Sequence, residues 1–189
     1  KLHNTLTRSK YIKALSDEKI IENNWEIMNR HGEGASGCTL LKVTTEDNAY
    51  FIKGNELPVY QGIRNEINIQ QRLLDNLGEE ETWYLPMNGC DSLHRWIRYE
   101  FMDIKLLSKY MEHHMFSKEE LDKLGEYLVY VLDRLYEQKI IHNDLRQENI
   151  MVQVKEDGSL DKLILIDFGC SSFDGSFPWE KETFWGKYL

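Results

Sequence analysis

Long hydrophobic runs are missing from this chain of 189 residues: no stretch approaches the ~18 consecutive apolar residues that a membrane span needs. Positive charge is short as well. Lys and Arg number 23 against 32 Asp and Glu, a formal net charge of -9, and so acidic a chain cannot neutralise a nucleic-acid backbone broadly. That excludes a general nucleic-acid binder, although a phosphorylated ligand remains possible where local Lys, backbone N–H groups and metal ions offset the repulsion. Cysteine is scarce. Cys38, Cys90 and Cys170 lie far apart with no C-x-x-C pair, which excludes a disulfide framework and a zinc site and fits a reducing compartment. The N terminus, KLHNTLTRSK, has charge but no apolar block behind it, so it does not read as a signal peptide. It also lacks an initiator Met, which leaves room for removed residues. What is present is globular: 41% hydrophobic and 12% aromatic, enough to bury a core as one domain or two small lobes.

The most informative stretch is IIHNDLRQENIMV, Ile140 to Val152. Two apolar steps lead into a polar loop, and an apolar run leaves it. The loop carries His142, Asp144 and Asn149 in an H-x-D-x-x-x-x-N spacing. A carboxylate and an amide five residues apart converge on one point only if the loop between them is tightly held. Phosphoryl transfer uses such a pair, the carboxylate to orient or deprotonate a hydroxyl and the amide oxygen to hold a metal. A plain polar surface loop is the competing reading of this stretch alone.

Upstream, residues 1–15 read as a lysine-rich helical extension, and Ser16, Asp17 and Glu18 as the start of a short helix. Trp25 to Arg30 reads as a strand that runs into Gly32, Gly34 and Gly37, a G-x-G-x-x-G pattern. Glycines let a backbone approach a phosphate with its N–H groups forward, yet glycine hairpins are also plain turns. CTLLKVTT, a turn at EDNA and YFIK place these glycines between two strands. A dinucleotide-binding turn would open a helix instead. Lys53 ends the third strand, and Pro58 precedes a helix bearing Ile63, Ile67, Leu73 and Leu74, with Gly78 as its stop. Glu66 lies mid-helix and can face Lys53; Glu56 in the connecting loop competes. Residues 82–87 and 95–102 read as two further strands, for five in all, after which Glu100 to Met102 could offer backbone groups to an adenine. A short helix over Leu106 to His114 follows, with His113 and His114 read as surface residues.

Ser117 and Glu120 make a capping box for a long helix whose Leu121, Leu124, Leu128, Val131, Leu132 and Leu135 mark one buried face. Beyond the polar loop, KEDGSL is a turn and LILID a buried strand ending at Asp167-Phe168-Gly169. That is a plausible arm for a second metal ligand, or an ordinary strand-end turn.

GEGASG, FIK, a helix glutamate, HNDLRQEN and DFG follow one another in the order that protein kinases use. Over about residues 25–175 the chain resembles the protein-kinase-like superfamily. The resemblance implies an α+β, bilobal fold. Residues 1–24 would be an extension and 25–102 an N-lobe with a five-stranded antiparallel sheet and one main helix. Residues 103–189 would be a reduced, mostly helical C-lobe cut short after the DFG segment. It implies ATP under Gly32, Gly34 and Gly37, with Lys53 on the phosphates and paired to Glu66. The adenine would lie against Glu100 and Met102. Asp144 would accept the substrate hydroxyl proton, Arg146 would reach the γ-phosphate, and Asn149 and Asp167 would hold Mg²⁺ in a nucleotide crevice. His142 would support the loop by packing. Arg146 stands where Ser/Thr kinases usually carry Lys, and the two differ in geometry. Asn143 replaces the Arg that pairs with a phosphorylated activation loop, which implies activity without that switch. No A-P-E follows, and 20 residues remain after Gly169.

Short kinases of this kind resemble bacterial effector kinases of the OspG, NleH and HopBF families. The implied partner is then a host chaperone or a ubiquitin-pathway protein, and the implied place is the cytoplasm or, after secretion, a host cytosol. The aromatic tail (Phe173, Phe177, Trp179, Phe184, Trp185, Tyr188) reads as packing under the C-lobe or as a docking surface. Two other function classes compete with a Ser/Thr protein kinase. One is a pseudokinase binding module, against which the joint presence of Lys53, Glu66, Asp144, Asn149 and Asp167 counts. The other is a small-molecule kinase of the aminoglycoside or choline type, for whose helical insertions the chain has no room.

Overall fold

The computed structural model describes residues 2–21, 24–28, 38–54, 61–77, 81–102 and 104–173, with no side-chain description at 2–9 and 61. Gly32, Gly34, Gly37, Glu56, Pro58, Gly78 and the tail beyond Phe173 lie outside those residues. The chain separates into two compact units. One comprises Lys1–Ile67 and Met87–Met102, the other Asn68–Pro86 and Asp103–Leu189.

The first unit opens with helix α1 (Leu2–Asp17). Its sheet contains β1 (Trp25–Ile27), β2 (Thr39–Thr44), β3 (Ala49–Gly54), β4 (Met87–Cys90) and β5 (Trp96–Glu100). All five strands are antiparallel, as expected, in the order β1-β2-β3-β5-β4. In β2 every second residue is buried, and Leu41 and Val43 meet Ile52 of β3 and Tyr11, Leu15 and Ile21. Each such side chain taken from water stabilises by roughly 1.5–3 kcal/mol.

Ser16 and Asp17 end α1; they do not begin a helix. Ile20 N–H donates back to the Leu15 carbonyl at 2.8 Å, and Lys19 takes the left-handed conformation (φ 58) that closes a helix C-terminally. Acidic residues at that point suggest an N-terminus only while the burial of Tyr11 and Leu15, one turn apart, goes unseen.

Helix α2 (Gln61–Leu77) buries Ile63 and Ile67 before the division between the units, and Ile69 and Leu73 after it. The second unit also holds β6 (Lys105–Leu106), α3 (Leu107–Met111), α4 (Lys118–Glu137), β7 (Ile150–Val154) and β8 (Leu160–Leu165). Strands β6, β7 and β8 form a three-stranded sheet. Its core includes Ile69, Leu73, Tyr84, Val131, Leu135 and Phe168.

Two expectations change here. Residues 82–86 are not a strand of the five-stranded sheet. Trp83 accepts from Leu165 N–H at 2.8 Å and Leu85 N–H donates to Leu165 at 3.1 Å, so this extended piece sits beside β8 and the strand proper begins at Met87. Pro86 lacks the N–H that a central ladder needs, which marks the break. On α4, Val131 and Leu135 are buried and Leu124 and Leu128 pack against the core, but Leu121 and Leu132 are exposed. At ~100° per residue, the first four share a stripe and the other two stand about 50–70° round from its centre.

The capping box is formed. Ser117 Oγ accepts from Glu120 N–H at 3.2 Å, and Glu120 Oε2 accepts from Ser117 N–H at 2.9 Å. His113 is exposed as expected, whereas His114 stacks on Tyr110 with centroids 4.3 Å apart and bonds Glu120. The pairing of adjacent histidines hid this, since only one faces the helix cap.

Candidate active site

In the first unit, alternation along β3 sends Tyr50 and Ile52 towards α1, so Lys53 leaves from the other face. Its Nζ donates to Glu66 Oε2 at 2.7 Å, in a pair whose glutamate is 1% exposed. Tyr99 Oη donates to the other oxygen, Glu66 Oε1, at 2.5 Å. Tyr99 was not singled out in the sequence. The signal was there: Lys53 lies opposite Ile97 in the β3–β5 register, and two residues on, at Tyr99, β5 shows the same face. A carboxylate this deeply buried needs hydrogen-bond donors, and the ammonium and the phenol that serve it fix each other's place. Glu100 ends β5 with its side chain exposed, and Met102 is half-buried beyond it. Phe101 N–H is taken by the Ala49 carbonyl at 3.2 Å.

In the second unit, the loop between α4 and β7 is tied together by its own polar residues. His142 is buried and meets the Ile166 carbonyl at 3.2 Å. A carbonyl can only accept, so Nε2 carries the proton. The ring also packs against Phe168, centroids 5.1 Å apart. Asn149, buried at the other end, donates through Nδ2 to both the Asp144 carbonyl and Asp144 Oδ2, each at 2.9 Å. Its own carbonyl accepts from Ile166 N–H at 2.9 Å. The polar loop is therefore sewn to the residue before Asp167. Asp167 itself is left-handed (φ 64), and its carboxylate accepts from Gly169 N–H at 3.3 Å. A left-handed aspartate costs of order 1–3 kcal/mol unless the surroundings hold it, and such strain gathers at working sites.

Asn143 is left-handed too (φ 61), a conformation that asparagine tolerates. Its Nδ2 donates to the Cys170 carbonyl and to Ser172 Oγ, both at 3.0 Å. Backbone bonds between Ile141 and Ser172 at 2.8 and 2.9 Å close the same seam. Arg146 is half exposed, with Nε 3.4 Å from Asp144 Oδ1.

Asp144, Asn149 and Asp167 thus gather in one unit, and Lys53 and Glu66 in the other. The donor set suits magnesium. Asn149 commits its amide nitrogen to Asp144, which leaves the side-chain oxygen without a hydrogen bond among the described residues. That oxygen and the Asp167 carboxylate are hard donors of the kind that bind Mg²⁺ together with waters and substrate phosphates. No cluster of three His, Cys, Asp or Glu side chains suited to a metal occurs among the described residues.

The protein kinase domain family matches residues 25–177. The chain belongs to that family. This kinase domain is also 24% identical over 171 residues to a probable serine/threonine-protein kinase of fowlpox virus (strain NVSL), an alignment that takes in 82% of the chain and 55% of the relative. It spans about half the length of that curated relative. Lys53, Glu66, Asp144, Asn149 and Asp167 all fall inside the matched kinase segment. So do Asn143 and Tyr99, the two residues whose bonding the order of motifs could not disclose. Among the described residues no helix of the kinase domain is long and apolar enough to cross a membrane.

Proposed function

We propose that this chain is an ATP- and Mg²⁺-dependent protein kinase that transfers the γ-phosphoryl group to a Ser or Thr hydroxyl of a protein. The observation that carries this reading is the bonding of Asn149 to Asp144 and to the residue before Asp167, which ties the three residues into one loop system and supports the roles of base and metal ligands for them. Asp144 takes the hydroxyl proton as the new O–P bond forms, and the bond from the γ-phosphorus to the β-phosphate oxygen breaks to release ADP. Lys53 meets phosphate oxygens, and Glu66 with Tyr99 keeps its ammonium in place. Asn149 and Asp167 would hold Mg²⁺, which would neutralise charge on the phosphate oxygens. Arg146 is close enough to Asp144 to meet a phosphate oxygen arriving there. Gly32, Gly34 and Gly37 cover the phosphates, and the backbone from Glu100 to Met102 meets the adenine.

The Ser/Thr class draws support from the fowlpox virus kinase. A chaperone or ubiquitin-pathway substrate, and delivery by a bacterium, rest on the likeness to short effector kinases alone. A viral relative lends them nothing, so the proposal stops at a protein hydroxyl.

The test is transfer of labelled phosphate from ATP, with Mg²⁺, to proteins of a cell lysate by wild type and by Asp167→Ala. Labelled protein bands are expected from the wild type and a loss of at least 100-fold in the variant. Label in small metabolites only, or tight ATP binding without any transfer, overturns the reading.

A second expectation concerns activation. Asn143 ties itself to Cys170 and Ser172 with neutral amide bonds, so the seam after Asp167 needs no phosphate to hold it. Phosphatase treatment of the purified chain should leave its rate within about twofold, the change expected when no charge-assisted bond is lost. A drop of tenfold or more defeats this.

A further inference from the structure

One face of the first unit's sheet is covered by α1, and that cover touches the strand end that carries Lys53. Gly54, next after Lys53, is buried with Tyr11 directly over it. A Cβ built there would stand 1.9 Å from Tyr11 Oη, 2.8 Å from its Cζ and 2.5 Å from the Arg95 carbonyl. Only glycine fits, because the phenol fills the notch that its missing side chain leaves. Tyr11 is 3% exposed. Its hydroxyl has no hydrogen bond among the described residues, so what it contributes here is shape.

The segment that carries Tyr11 is fastened at both sides of β3. Glu18, just beyond α1, accepts from both Arg95 Nη atoms at 2.7 Å, while Arg95 Nε donates to Asp91 at 2.8 Å. Tyr50 Oη donates to the Ile20 carbonyl at 3.1 Å. Leu15 packs into the same apolar cluster but belongs to the following turn of the helix. The end of β3 is thus gripped from two faces, by Tyr11 at Gly54 and by Glu66 at Lys53.

We propose that Tyr11 is a positioning residue for Lys53. Its ring backs the β3 terminus so that the Lys53 ammonium stays on Glu66 and is aimed at nucleotide phosphate. The consequence for ATP rests on the kinase reading above; the consequence for Lys53 itself does not.

The experiment uses the full chain and four variants, Tyr11→Ala, Tyr11→Phe, Gly54→Ala and Leu15→Ala. Two measurements are made below their melting temperatures: KM for ATP against kcat, and the rate at which an amine-acylating reagent modifies Lys53, followed by mass spectrometry. Tyr11→Ala and Gly54→Ala are expected to raise KM for ATP about tenfold, with kcat within about threefold, and to speed Lys53 modification at least fivefold. Tyr11→Phe keeps the ring and should match wild type in both. Leu15→Ala should lower the melting temperature as Tyr11→Ala does and leave both readouts unchanged. If Lys53 modification in Tyr11→Ala stays at the wild-type rate, or rises equally in Leu15→Ala, the inference is wrong. If it rises as expected in a chain that transfers no phosphate, the kinase reading fails and the positioning role stands.

Discussion

Asp144→Asn should cut kcat by roughly 10²–10⁴ while ATP binding stays within about threefold of wild type, since general-base catalysis is worth about that factor. The substitution is chosen to keep the loop intact. In the native loop, Asp144 Oδ2 accepts from Asn149 Nδ2 at 2.9 Å. An asparagine at 144 can turn its side-chain oxygen to the same donor, and the bond from Asn149 to the backbone carbonyl of residue 144 is untouched. What disappears is a proton acceptor and a negative charge. Asp144→Ala is a poorer test, because it also strips a partner from buried Asn149 and mixes a folding defect with a chemical one. Single-turnover kinetics with nucleotide binding measured separately decide the matter. Retained turnover removes Asp144 from the role of base, and loss of nucleotide binding with turnover points to a collapsed loop.

The parts of this site that the sequence disclosed are those where function and local geometry coincide. Asp144 and Asn149 are five residues apart, and any loop that brings them together does so within one turn of chain; spacing is then close to structure. Lys53 and Glu66 are 13 residues apart and were paired by the order of motifs, with a strand and a helix to carry them. Tyr99 is 33 residues from its partner Glu66. Asn143 reaches bonds 27 and 29 residues away. Such links depend on strand register and on a left-handed residue, neither of which leaves a mark in composition. Asn143 read as the loss of an arginine, when it is also the gain of two bonds.

The fold was legible to a similar depth. The β-branched, apolar strands β2 and β3 and the capping box at Ser117 are short-range signals, and they hold. The helix proposed at Ser16 and the strand proposed over 82–87 failed where tertiary packing decides. Acidic residues mark a helix start only when nothing upstream is buried, and Tyr11 and Leu15 are. Trp83 and Tyr84 have the β-propensity of a sheet strand, yet they pair with β8 and pack into the second unit's core.

Glu120→Ala should cost roughly 1–3 kcal/mol, the scale for leaving buried donors without their acceptor. The sequence showed Glu120 as half of a capping box. Its carboxylate also accepts from His114 Nε2 at 2.9 Å, from Tyr110 Oη at 3.2 Å and, across to β8, from Leu160 N–H at 3.0 Å. One side chain therefore joins the start of α4 to α3 and to the three-stranded sheet. Tyr110 shares its single O–H between Glu120 and the Gly158 carbonyl at 3.0 Å and can give it wholly to the latter, but Leu160 N–H has no such reserve and is left buried and unpaired. The His114 hydrogen bond, followed by those from Ser117 and Leu160, lowers the Glu120 carboxyl from its ordinary 4.5 to about 2. A pKa lower in the folded state gives stability that is complete above the unfolded value and fades as protons are taken up. The wild type should therefore lose this contribution as pH falls from about 4.5 towards about 2, and Glu120→Gln should show a shallower loss over the same window. Urea unfolding at pH 7 and at pH 3, followed by near-ultraviolet circular dichroism, measures both. Equal pH slopes for wild type and Glu120→Gln would mean that the acid sensitivity belongs to other carboxylates and that Glu120 serves the cap alone.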